Sequence, residues 1–359
     1  MKELRIKDIC DKGSSNLKQK DVEGKNGLYP VYGASGVISH IDTYHQEENY
    51  IAIVKDGSGI GRVTFMPAMS SVIGTMQYIL PKNGFNINYI GYCLQSLDLS
   101  KYKQGAAIPH IYFRDYGERI VKVTEDTDEQ QSIVDYLDSA FAKIDVMKAN
   151  AEKALNEAKA LFHASIKEML KPKEGWEEKT IDDVVSFRNG IAHEKDIEEG
   201  GNYIVINSKF VATEGTIRKY TNEQLSPLYT NEIVMVMSDV PKGKTLAKCY
   251  IIECDNKYSL NQRICAFKSK GLDVRFLYYM LNRNPNLLKY DNGENQTNLR
   301  KKQILDCPVA YPTQKDEQQS IVTTLDSLKS KVDRLQENYD KISQECDALK
   351  QAILRQVFE

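Results

Sequence analysis

The sequence predicts an α+β chain with an internal pseudo-twofold repeat, in which two globular domains are joined by two long antiparallel helices forming a coiled coil. Two observations carry this prediction. Residues 128–134 recur unchanged at 316–322, and each copy opens a long segment with the apolar spacing of a coiled coil. Unlike stretches with strand and turn patterns precede the two copies. The predicted boundaries are 1–126, 127–170, 171–312 and 313–359.

The repeat extends well beyond that heptapeptide. Further residues recur at the same offset of 188, namely Leu137, Asp138, Ser139, Lys143, Asp145, Asn150, Lys153, Leu161 and Ala164, which return as Leu325, Asp326, Ser327, Lys331, Asp333, Asn338, Lys341, Leu349 and Ala352. A module that is duplicated within one chain can build a pseudo-twofold molecule that carries two unlike binding domains.

The first domain, residues 1–126, is predicted to consist mostly of short strands and turns. Residues 50–54 read as a buried strand, and the glycine-rich stretch 56–61 connects them to a second strand at 62–65. The glycine spacing is Gly-x-Gly-x-Gly and a strand follows, whereas a dinucleotide-binding loop must open a helix. We therefore interpret the stretch as a tight turn whose backbone can approach a ligand closely.

The two repeats are predicted to be long helices. Apolar or small residues recur at alternating steps of four and three from Ile133 to Leu161 and from Ile321 to Ile353. Acidic residues occupy both first turns, and a Pro/Gly break at 172–175 ends the first helix. About 40 residues give a rod of roughly 60 Å. Because the first helix runs from one domain to the other, a second helix that packs on it must return. A dimerisation rod is the alternative use of such helices.

The second domain, residues 171–312, has the same texture, with strands predicted at 203–206, 232–237 and 246–252. The stretch 238–245 contains Gly243, Lys244 and Thr245 and is similar to a phosphate-binding loop, but its first glycine is replaced by Ser238. A strand is expected after it, whereas such a loop must open a helix to aim amides at phosphate.

Composition sets the class of protein. The net charge is −2, and the two repeats together carry −5, so the positive excess lies in the two domains, which is the pattern expected for a polyanion partner. The seven cysteines are odd in number and never spaced Cys-x-x-Cys, so we expect reduced thiols in a cytoplasmic protein without a metal site. No signal core or membrane span is predicted.

Catalytic motifs are not found in the sequence. His-Glu-x-x-His, Gly-x-Ser-x-Gly and Asn-Pro-Pro-aromatic patterns are missing, and the five histidines have no metal-ligand spacing. We therefore predict a binding protein and not an enzyme. Residues 101–111 align with 289–299 at the same offset of 188, so the duplication includes a polar loop before each long helix. Asn, Gln and His side chains in these loops could read base edges.

The duplicated Asp-Glu-Gln-Gln-x-Ile-Val-x-x-Leu-Asp helix start, preceded each time by an unlike domain, resembles the DNA specificity subunit of type I restriction-modification systems. The resemblance covers nearly the whole chain. It includes the boundary from Pro172 to Trp176, the motif Tyr29-Pro30-x-Tyr32-Gly33, and the entry segments 4–9 and 180–184.

The resemblance implies that two target-recognition domains each read one half of a split DNA target, and that the helices set the gap between the halves. The implied partners are double-stranded DNA, two methyltransferase subunits and a motor-nuclease subunit. S-adenosylmethionine would bind to the methyltransferase, so no cofactor is expected on this chain. Adenine methylation requires base flipping, so DNA distortion is expected.

Candidate residues follow from this reading. The expected phosphate contacts are Lys55, Arg62, Lys103, Arg114, Lys242, Lys244, Arg300, Lys301 and Lys302. The expected base readers are Ser58, His110, Asn207, Asn295, Gln296 and Asn298. The expected contacts to partner subunits are Gln130, Gln131, Ile133, Gln318, Gln319 and Ile321.

Three alternatives stay open at this point. The chain could serve a related system in which methylation and restriction activities share one partner subunit. It could be a coiled-coil scaffold whose domains bind proteins. The third alternative is a nucleotidase that uses Lys244 and Thr245 of the phosphate-loop-like stretch.

Overall fold

The computed structural model describes residues 1–105, 109–193, 196–240, 243–291, 293 and 296–359. The chain forms two compact units. Unit 1 consists of residues 1–154 and 337–359, and unit 2 consists of residues 155–336. Each of the two long helices contributes a segment to each unit, so both units contain a mixed α+β domain and a pair of helical segments.

Unit 1 begins with a domain of short strands and helices. Its strands are β1 (Lys2–Arg5), β2 (Cys10–Ser14), β3 (Tyr29–Gly33), β4 (Gly36–Ile41), β5 (Tyr50–Val54), β6 (Val63–Met66), β7 (Ser71–Val72), β8 (Met76–Pro81) and β9 (Ile120–Val123). Its helices are α1 (Ile6–Ile9), α2 (Gln19–Val22), α3 (Ile87–Ser96), α4 (Phe113–Tyr116) and the first half of α5 (Thr127–Met169), with a 3-10 turn at Leu99–Tyr102.

Unit 2 carries the second set of elements. Its strands are β10 (Trp176–Thr180), β11 (Val185–Asn189), β12 (Tyr203–Ile206), β13 (Lys219–Thr221), β14 (Ile233–Val236), β15 (Ser238–Asp239), β16 (Cys249–Ile251), β17 (Tyr258–Leu260), β18 (Ile264–Ser269), β19 (Thr297–Asn298) and β20 (Pro308–Pro312). Its helices are α6 (Ile181–Val184), α7 (Ser208–Ala212), α8 (Val274–Leu281), α9 (Pro285–Leu288), α10 (Lys301–Leu305) and the first half of α11 (Lys315–Phe358).

Strand pairing is the same in both units. In unit 1 a four-stranded sheet has the order β2-β8-β5-β6, and in unit 2 the order is β11-β18-β14-β16. The small sheet is β4-β3-β7 in unit 1 and β13-β12-β17 in unit 2, and its central strand has one antiparallel and one parallel neighbour in both. The β1-β9 pair corresponds to β10-β20. The predicted internal repeat is therefore a repeat of fold, including regions where the sequences are unlike.

The central strand of each four-stranded sheet is buried on both faces. Side chains alternate along a strand, so Ile51 and Ile53 of β5 enter the core that contains α3, whereas Tyr50, Ala52 and Val54 enter the core on the other face. In unit 2, Ile233 and Met235 of β14 face the core with α8, and Val234 and Val236 face the opposite core. This double burial explains why both strands are continuous apolar runs in the sequence.

The long helices pack on each other in antiparallel fashion within each unit. In unit 1, the Asp145 carboxylate binds Lys350 Nζ at 2.6 Å, and Cys346 lies against Ile144. In unit 2, Lys159 Nζ donates to Gln336 Oε1 at 2.7 Å. The predicted pair of long helices is confirmed. None of the helices in the described part of the chain is long and apolar enough to cross a membrane.

The predicted apolar seam of the first helix is wrong in its second half. Met147 is 58% exposed and Leu161 is 62% exposed, whereas Leu155 is buried and Phe162 packs against the unit 2 core. In the second helix, Leu349 is likewise exposed. A strict heptad assumes 3.5 residues per turn, and an α-helix has 3.6, so the buried stripe drifts by about 20° per heptad away from the predicted positions.

The recurring heptapeptide anchors each long helix to its own domain. In unit 1, the Gln130 side chain is fully buried, and its Oε1 accepts a hydrogen bond from the Asn86 amide at 2.7 Å while its Nε2 donates to the carbonyls of Gly84 and Thr124. Asn86 is the residue that caps α3. The N-terminus of α3 is thus held by the start of α5.

The same anchor recurs in unit 2. Gln318 Oε1 accepts from the amide of Asp273, the residue that caps α8, at 2.9 Å, and Gln318 Nε2 donates to the carbonyl of Pro312 at 2.8 Å. A tyrosine of each domain makes a second contact with the long helix, about two turns after the glutamine. Tyr92 donates to Asp138 in unit 1, and Tyr279 donates to Asp326 in unit 2. The sequence repeat is therefore a repeated helix-to-domain joint.

Candidate nucleic-acid interface

Two segments of unit 1 that lie far apart in sequence meet beside the four-stranded sheet. The first segment, 55–62, follows β5, and the second, which consists of the described residues 103–105 and 109–114, leads into α4. Backbone hydrogen bonds join them: the Ile111 amide donates to Lys55 at 3.0 Å, and the Gly57 amide donates to Pro109 at 3.3 Å. The predicted residues Lys55, Ser58, Lys103, His110 and Arg114 belong to these two segments. We call them together the first loop cluster.

Within the first loop cluster, His110 and Arg114 are held by neighbours that the sequence did not single out. His110 Nδ1 bonds to Asp56, and the His110 ring lies 4.1 Å from the Tyr112 ring between centroids. The Arg114 guanidinium lies 4.5 Å from the centroid of the same Tyr112 ring. Ser58 and Lys103 are exposed, and Lys55 is half-buried.

Arg62, predicted as a phosphate contact, is an exposed side chain with a structural bond. Its Nη1 donates to the Ala34 carbonyl in the turn between β3 and β4 at 2.9 Å. Gly59 lies directly under the guanidinium, since a Cβ added there would be 2.5 Å from Arg62 Nη2. The glycine of this turn thus permits a close side-chain approach, here by an arginine of the same loop.

The corresponding segments also meet in unit 2. The strand β15 pairs with β19 so that Ser238 faces Asn298 and Asp239 faces Thr297. Gln296 Nε2 donates to Ser238 Oγ at 2.8 Å, and Asn298 is exposed. We call residues 238–240, 243–244 and 296–302 the second loop cluster. The predicted residues Lys242 and Asn295 lie outside the described residues.

A basic run follows β19 directly. Arg300, Lys301 and Lys302 are exposed at the start of α10. The Arg300 amide donates to Gln303 Oε1 at 2.7 Å, and Lys301 Nζ lies 5.3 Å from the centre of the Phe187 ring. The Arg300 hydrogen bond uses only the backbone, the Lys301 ammonium lies over an aromatic ring, and all three side chains are exposed at the surface, where phosphates could be bound.

Asn207 stands apart from the second loop cluster. It follows β12 in the small sheet and caps α7, where its side-chain oxygen accepts from the Phe210 amide at 2.9 Å. A capping asparagine has its acceptor already engaged. The structure therefore gives Asn207 a local structural role, and we leave it out of the proposal for base reading.

The stretch similar to a phosphate-binding loop surrounds a carboxylate of its own. Asp239 accepts hydrogen bonds from the amides of Val240, Thr245 and Leu246 at 2.7–3.1 Å. Burial alone would raise the pKa of Asp239, but the hydrogen bonds from Thr245 and the neighbouring amides outweigh it and lower the pKa. A bound nucleotide phosphate would compete with this carboxylate for the same amides, and no helix opens at Thr245. The described part of this loop therefore does not favour the nucleotidase alternative on Lys244 and Thr245.

A basic cleft of about 1210 Å³ lies in unit 2 beside Lys244. Its floor is apolar, with Phe162, Ile166 and Val309 among its lining residues. Its cationic lining residues are Lys159, Lys167, Lys171, Lys244, Lys248, Arg283 and Lys329, against the acids Glu168, Glu214 and Asp333. The second domain contributes Lys171, Lys244, Lys248 and Arg283 to this cleft, and the long helices contribute Lys159, Lys167 and Lys329.

Metal chemistry has no visible site in the described ranges. No group of three or more His, Cys, Asp or Glu side chains there could hold a metal ion. The cysteines are free, and burial raises the pKa of Cys307 to about 11, so its thiol is protonated at neutral pH.

Comparison with protein families now decides the family. The model described as "Type I restriction modification DNA specificity domain" matches residues 1–157 and again residues 173–344. The chain belongs to the type I restriction-modification DNA specificity family. The two matches together cover most of the sequence, and each spans one mixed α+β domain with much of a long helix.

Solved structures with a similar fold carry related descriptions. One chain from a study of "complex assembly" and "conformational transition of the type I R-M system" has a TM-score of 0.72 at 14% identity, covering 98% of this chain and 96% of that chain. The HsdS subunit from Thermoanaerobacter tengcongensis has a TM-score of 0.51 at 13% identity, with 98% and 95% covered. The S subunit from M. genitalium has a TM-score of 0.45 at 16% identity, with 100% and 96% covered. The comparison with curated proteins gave no match.

In this member of the specificity family, the residues predicted to contact partner subunits fall into two groups. Gln130, Gln318 and Ile321 are buried and contact their own domains, and Ile133 packs against the unit 1 core. Gln131 and Gln319 are exposed. Gln131 and Gln319 have the most accessible side chains of the six, Ile133 is half-buried, and Gln130, Gln318 and Ile321 contribute to the helix-to-domain joint. The sequence repeat alone does not distinguish the two groups, because a residue can recur either to stabilise the domain or to contact a partner.

Proposed function

We propose that this chain is the DNA-binding specificity subunit of a type I restriction-modification complex and that it has no catalytic activity of its own. Its target-recognition domains would be residues 1–126 and 171–312, and each would read one half of a split DNA target. The long helices at 127–170 and 313–359 would set the number of base pairs between the halves.

One observation supports this proposal above the others. The two domains share strand order and joint, yet the two loop clusters, at equivalent places, carry unlike polar side chains. His110 occupies in the first cluster the position that Asn298 occupies in the second, at the offset of 188. Equal scaffolds with unlike loops are what reading two different half-sites requires, because base contacts specify sequence and the scaffold only positions them.

Phosphate contacts would come from the cations of the loop clusters, all of them exposed except the half-buried Lys55. The candidates in the described residues are Lys55, Arg62, Lys103, Arg114, Lys244, Arg300, Lys301 and Lys302. Each phosphate contact that is lost lowers the slope of log K against log salt by about one. We expect Lys301→Ala with Lys302→Ala to weaken binding about equally for all DNA sequences, whereas variants of Gln296 or Asn298 should change the preference at the second half-site only.

Partner subunits would bind to the helices. Leu161 and Leu349 occupy the same repeat position and are both exposed, at 62% and 47%. Large apolar side chains that stay exposed at equivalent places suit two copies of one partner, and we propose two methyltransferase subunits, which would supply S-adenosylmethionine and adenine methylation. A motor-nuclease subunit would join the complex for restriction.

Co-purification tests the partner proposal. Leu161→Asp and Leu349→Asp should each reduce the recovered methyltransferase to about one copy per chain. The matched controls, Asn150→Asp and Asn338→Asp, add the same charge at another exposed position of the repeat. Full recovery in the leucine variants would place the methyltransferase elsewhere on the chain.

The genome-wide adenine methylation pattern, with and without this gene, tests the proposed function. We expect deletion to remove methylation at one split motif. If the wild-type host makes the protein but deletion of its gene leaves methylation unchanged, the chain does not direct methylation in that host. The protein-binding scaffold then becomes the better explanation. A single partner with methylase and nuclease activities on one chain would point to the related system.

A further inference from the structure

The side chain of His110 is oriented by three neighbours. Asp56, which lies 54 residues earlier in the chain, contacts His110 Nδ1 through its carboxylate. The Tyr112 ring packs on the imidazole, and Arg114 covers the Tyr112 ring. The His110 side chain is 26% exposed and that of Asp56 is 23% exposed. The imidazole is therefore fixed in direction while part of it still reaches solvent.

For a neutral imidazole, the contact with Asp56 decides which ring nitrogen carries the hydrogen. A carboxylate can only accept, so Nδ1 must donate to it, and in the neutral ring Nε2 is then a hydrogen-bond acceptor. Among the described residues, no group bonds to His110 Nε2. In the major groove, a single acceptor on the protein is matched by the amino group of adenine N6 or cytosine N4, whereas guanine and thymine present acceptors at the equivalent edge.

We propose that Asp56 acts as a positioning residue that fixes the His110 tautomer, so that the first domain reads adenine or cytosine at one position of its half-site. Tyr112 prevents the ring from turning, and Arg114 holds the tyrosine. The inference rests on the proposed function and adds to it the class of base that is read. The contact is not needed to join the loops, because backbone hydrogen bonds from Ile111 and Gly57 already do so.

The second domain offers a built-in contrast. At the equivalent place, Asn298 on β19 faces Ser238, and the neighbouring carboxylate of Asp239 is engaged by backbone amides. An asparagine amide carries both a donor and an acceptor and needs no neighbour to set its protonation. The use of a carboxylate to select one hydrogen-bonding form is thus confined, among the described loop residues, to the first domain.

The experiment compares methylation motifs produced by the complete complex in cells. The wild-type chain, Asp56→Asn, Asp56→Glu, His110→Ala and Asn298→Ala are each expressed with the partner subunits. We expect the wild-type complex to specify one base pair at a position of the first half-site where His110→Ala no longer discriminates. In Asp56→Asn, discrimination at that position should fall by roughly tenfold, because an amide can face Nδ1 with either its oxygen or its NH₂. Asp56→Glu keeps a carboxylate and should keep the preference.

The second half-site is an internal control for folding. It should be unchanged in Asp56→Asn and in His110→Ala, and it alone should change in Asn298→Ala. An unchanged first half-site in both Asp56→Asn and His110→Ala would overturn the inference and leave the proposed function intact. Loss of all methylation in Asp56→Asn, with His110→Ala still active, would also overturn it, since Asp56 would then act through folding. If the wild-type complex produces no split motif, the proposed function itself fails.

Discussion

The two domains differ most where their backbones are most alike. Each four-stranded sheet has the same order, each central strand is buried on both faces, and each is joined to a long helix by a buried glutamine. Beside these equal scaffolds, the first domain places a His–Asp pair against a tyrosine, and the second places a loop around Asp239 and a basic run at the start of α10. Duplication has kept the parts that fold the domain and changed the parts that face outward.

The comparison teaches how the sequence repeat should be interpreted. The recurring residues Gln130 and Gln318 form hydrogen bonds within their domains, and Tyr92 and Tyr279 bond to the recurring aspartates. Replacement of such a glutamine leaves buried donors and acceptors without partners, which strongly destabilises the folded state. These positions therefore tolerate few replacements. Loop residues that contact only solvent in the free protein are under no such restriction.

Replacement of the joint glutamines should have the largest effect. Gln130→Met leaves one amide and two carbonyls of unit 1 without partners, and we expect the free energy of unfolding to fall by about 2–4 kcal/mol. Gln318→Met removes two bonds and should cost about 1–3 kcal/mol. Urea denaturation followed by circular dichroism measures both. Gln131→Met and Gln319→Met, which alter exposed neighbours, should change stability by less than about 0.5 kcal/mol. Equal losses of stability at the buried and the exposed glutamines would show that the buried glutamines do not stabilise the contact between helix and domain.

A glycine of the second loop cluster should rank next. A Cβ at Gly243 would lie 2.2 Å from Asp239 Oδ2, and three backbone amides hold the Asp239 carboxylate in place, two at Oδ2 and one at Oδ1. Gly243→Ala must displace the carboxylate, and we expect a loss of about 1–3 kcal/mol. If DNA binding is retained, methylation of the second half-site should fall while the first half-site is kept. A variant of full stability and activity would show that the loop can rearrange freely.

Loss of the tyrosine hydroxyl should destabilise unit 1 more than unit 2. Tyr92→Phe leaves Asp138 without its hydroxyl partner, whereas after Tyr279→Phe the Asp326 carboxylate still binds Arg275 Nε at 2.9 Å. We expect losses of about 1–2 kcal/mol for Tyr92→Phe and about 0.5–1 kcal/mol for Tyr279→Phe. Thermal unfolding of the two variants side by side checks the order, and the reverse order would show that Arg275 does not support Asp326.

The smallest expected effect is a pH dependence that belongs to one loop. Backbone hydrogen bonds lower the pKa of Asp239 below its usual 3.8 in the folded state. A lowered pKa contributes stability that is fully present above the unfolded value and is lost as the pH falls through the folded pKa. Wild-type protein should therefore lose more stability than Asp239→Asn when the pH is lowered from 6 to below about 4. Parallel pH profiles for the two proteins would contradict this.

Local pattern was sufficient for the elements that are decided by near neighbours in the chain. The apolar run at Tyr203–Ile206 and the long helices follow from side-chain periodicity, and the structure places them there. The buried stripe of the first long helix was less predictable, because the small difference between 3.5 and 3.6 residues per turn accumulates over several turns. As a result, Phe162 packs against the core and Leu161 is exposed. The predicted strand over 246–252 shortened to Cys249–Ile251, since Leu246 and Ala247 form a turn.

By itself, the sequence determined that a module is duplicated, that long helices follow both copies of the domain, and which loops precede them. Only the tertiary structure decided what the duplicated residues do. Gln130 meets Asn86 across 44 residues, and His110 meets Asp56 across 54. Such pairs have no signature in local periodicity, because they form when sheet pairing brings distant segments together and burial then makes an unpaired amide or carboxylate unfavourable. The same burial separates the glutamines of the joint from their exposed neighbours at Gln131 and Gln319.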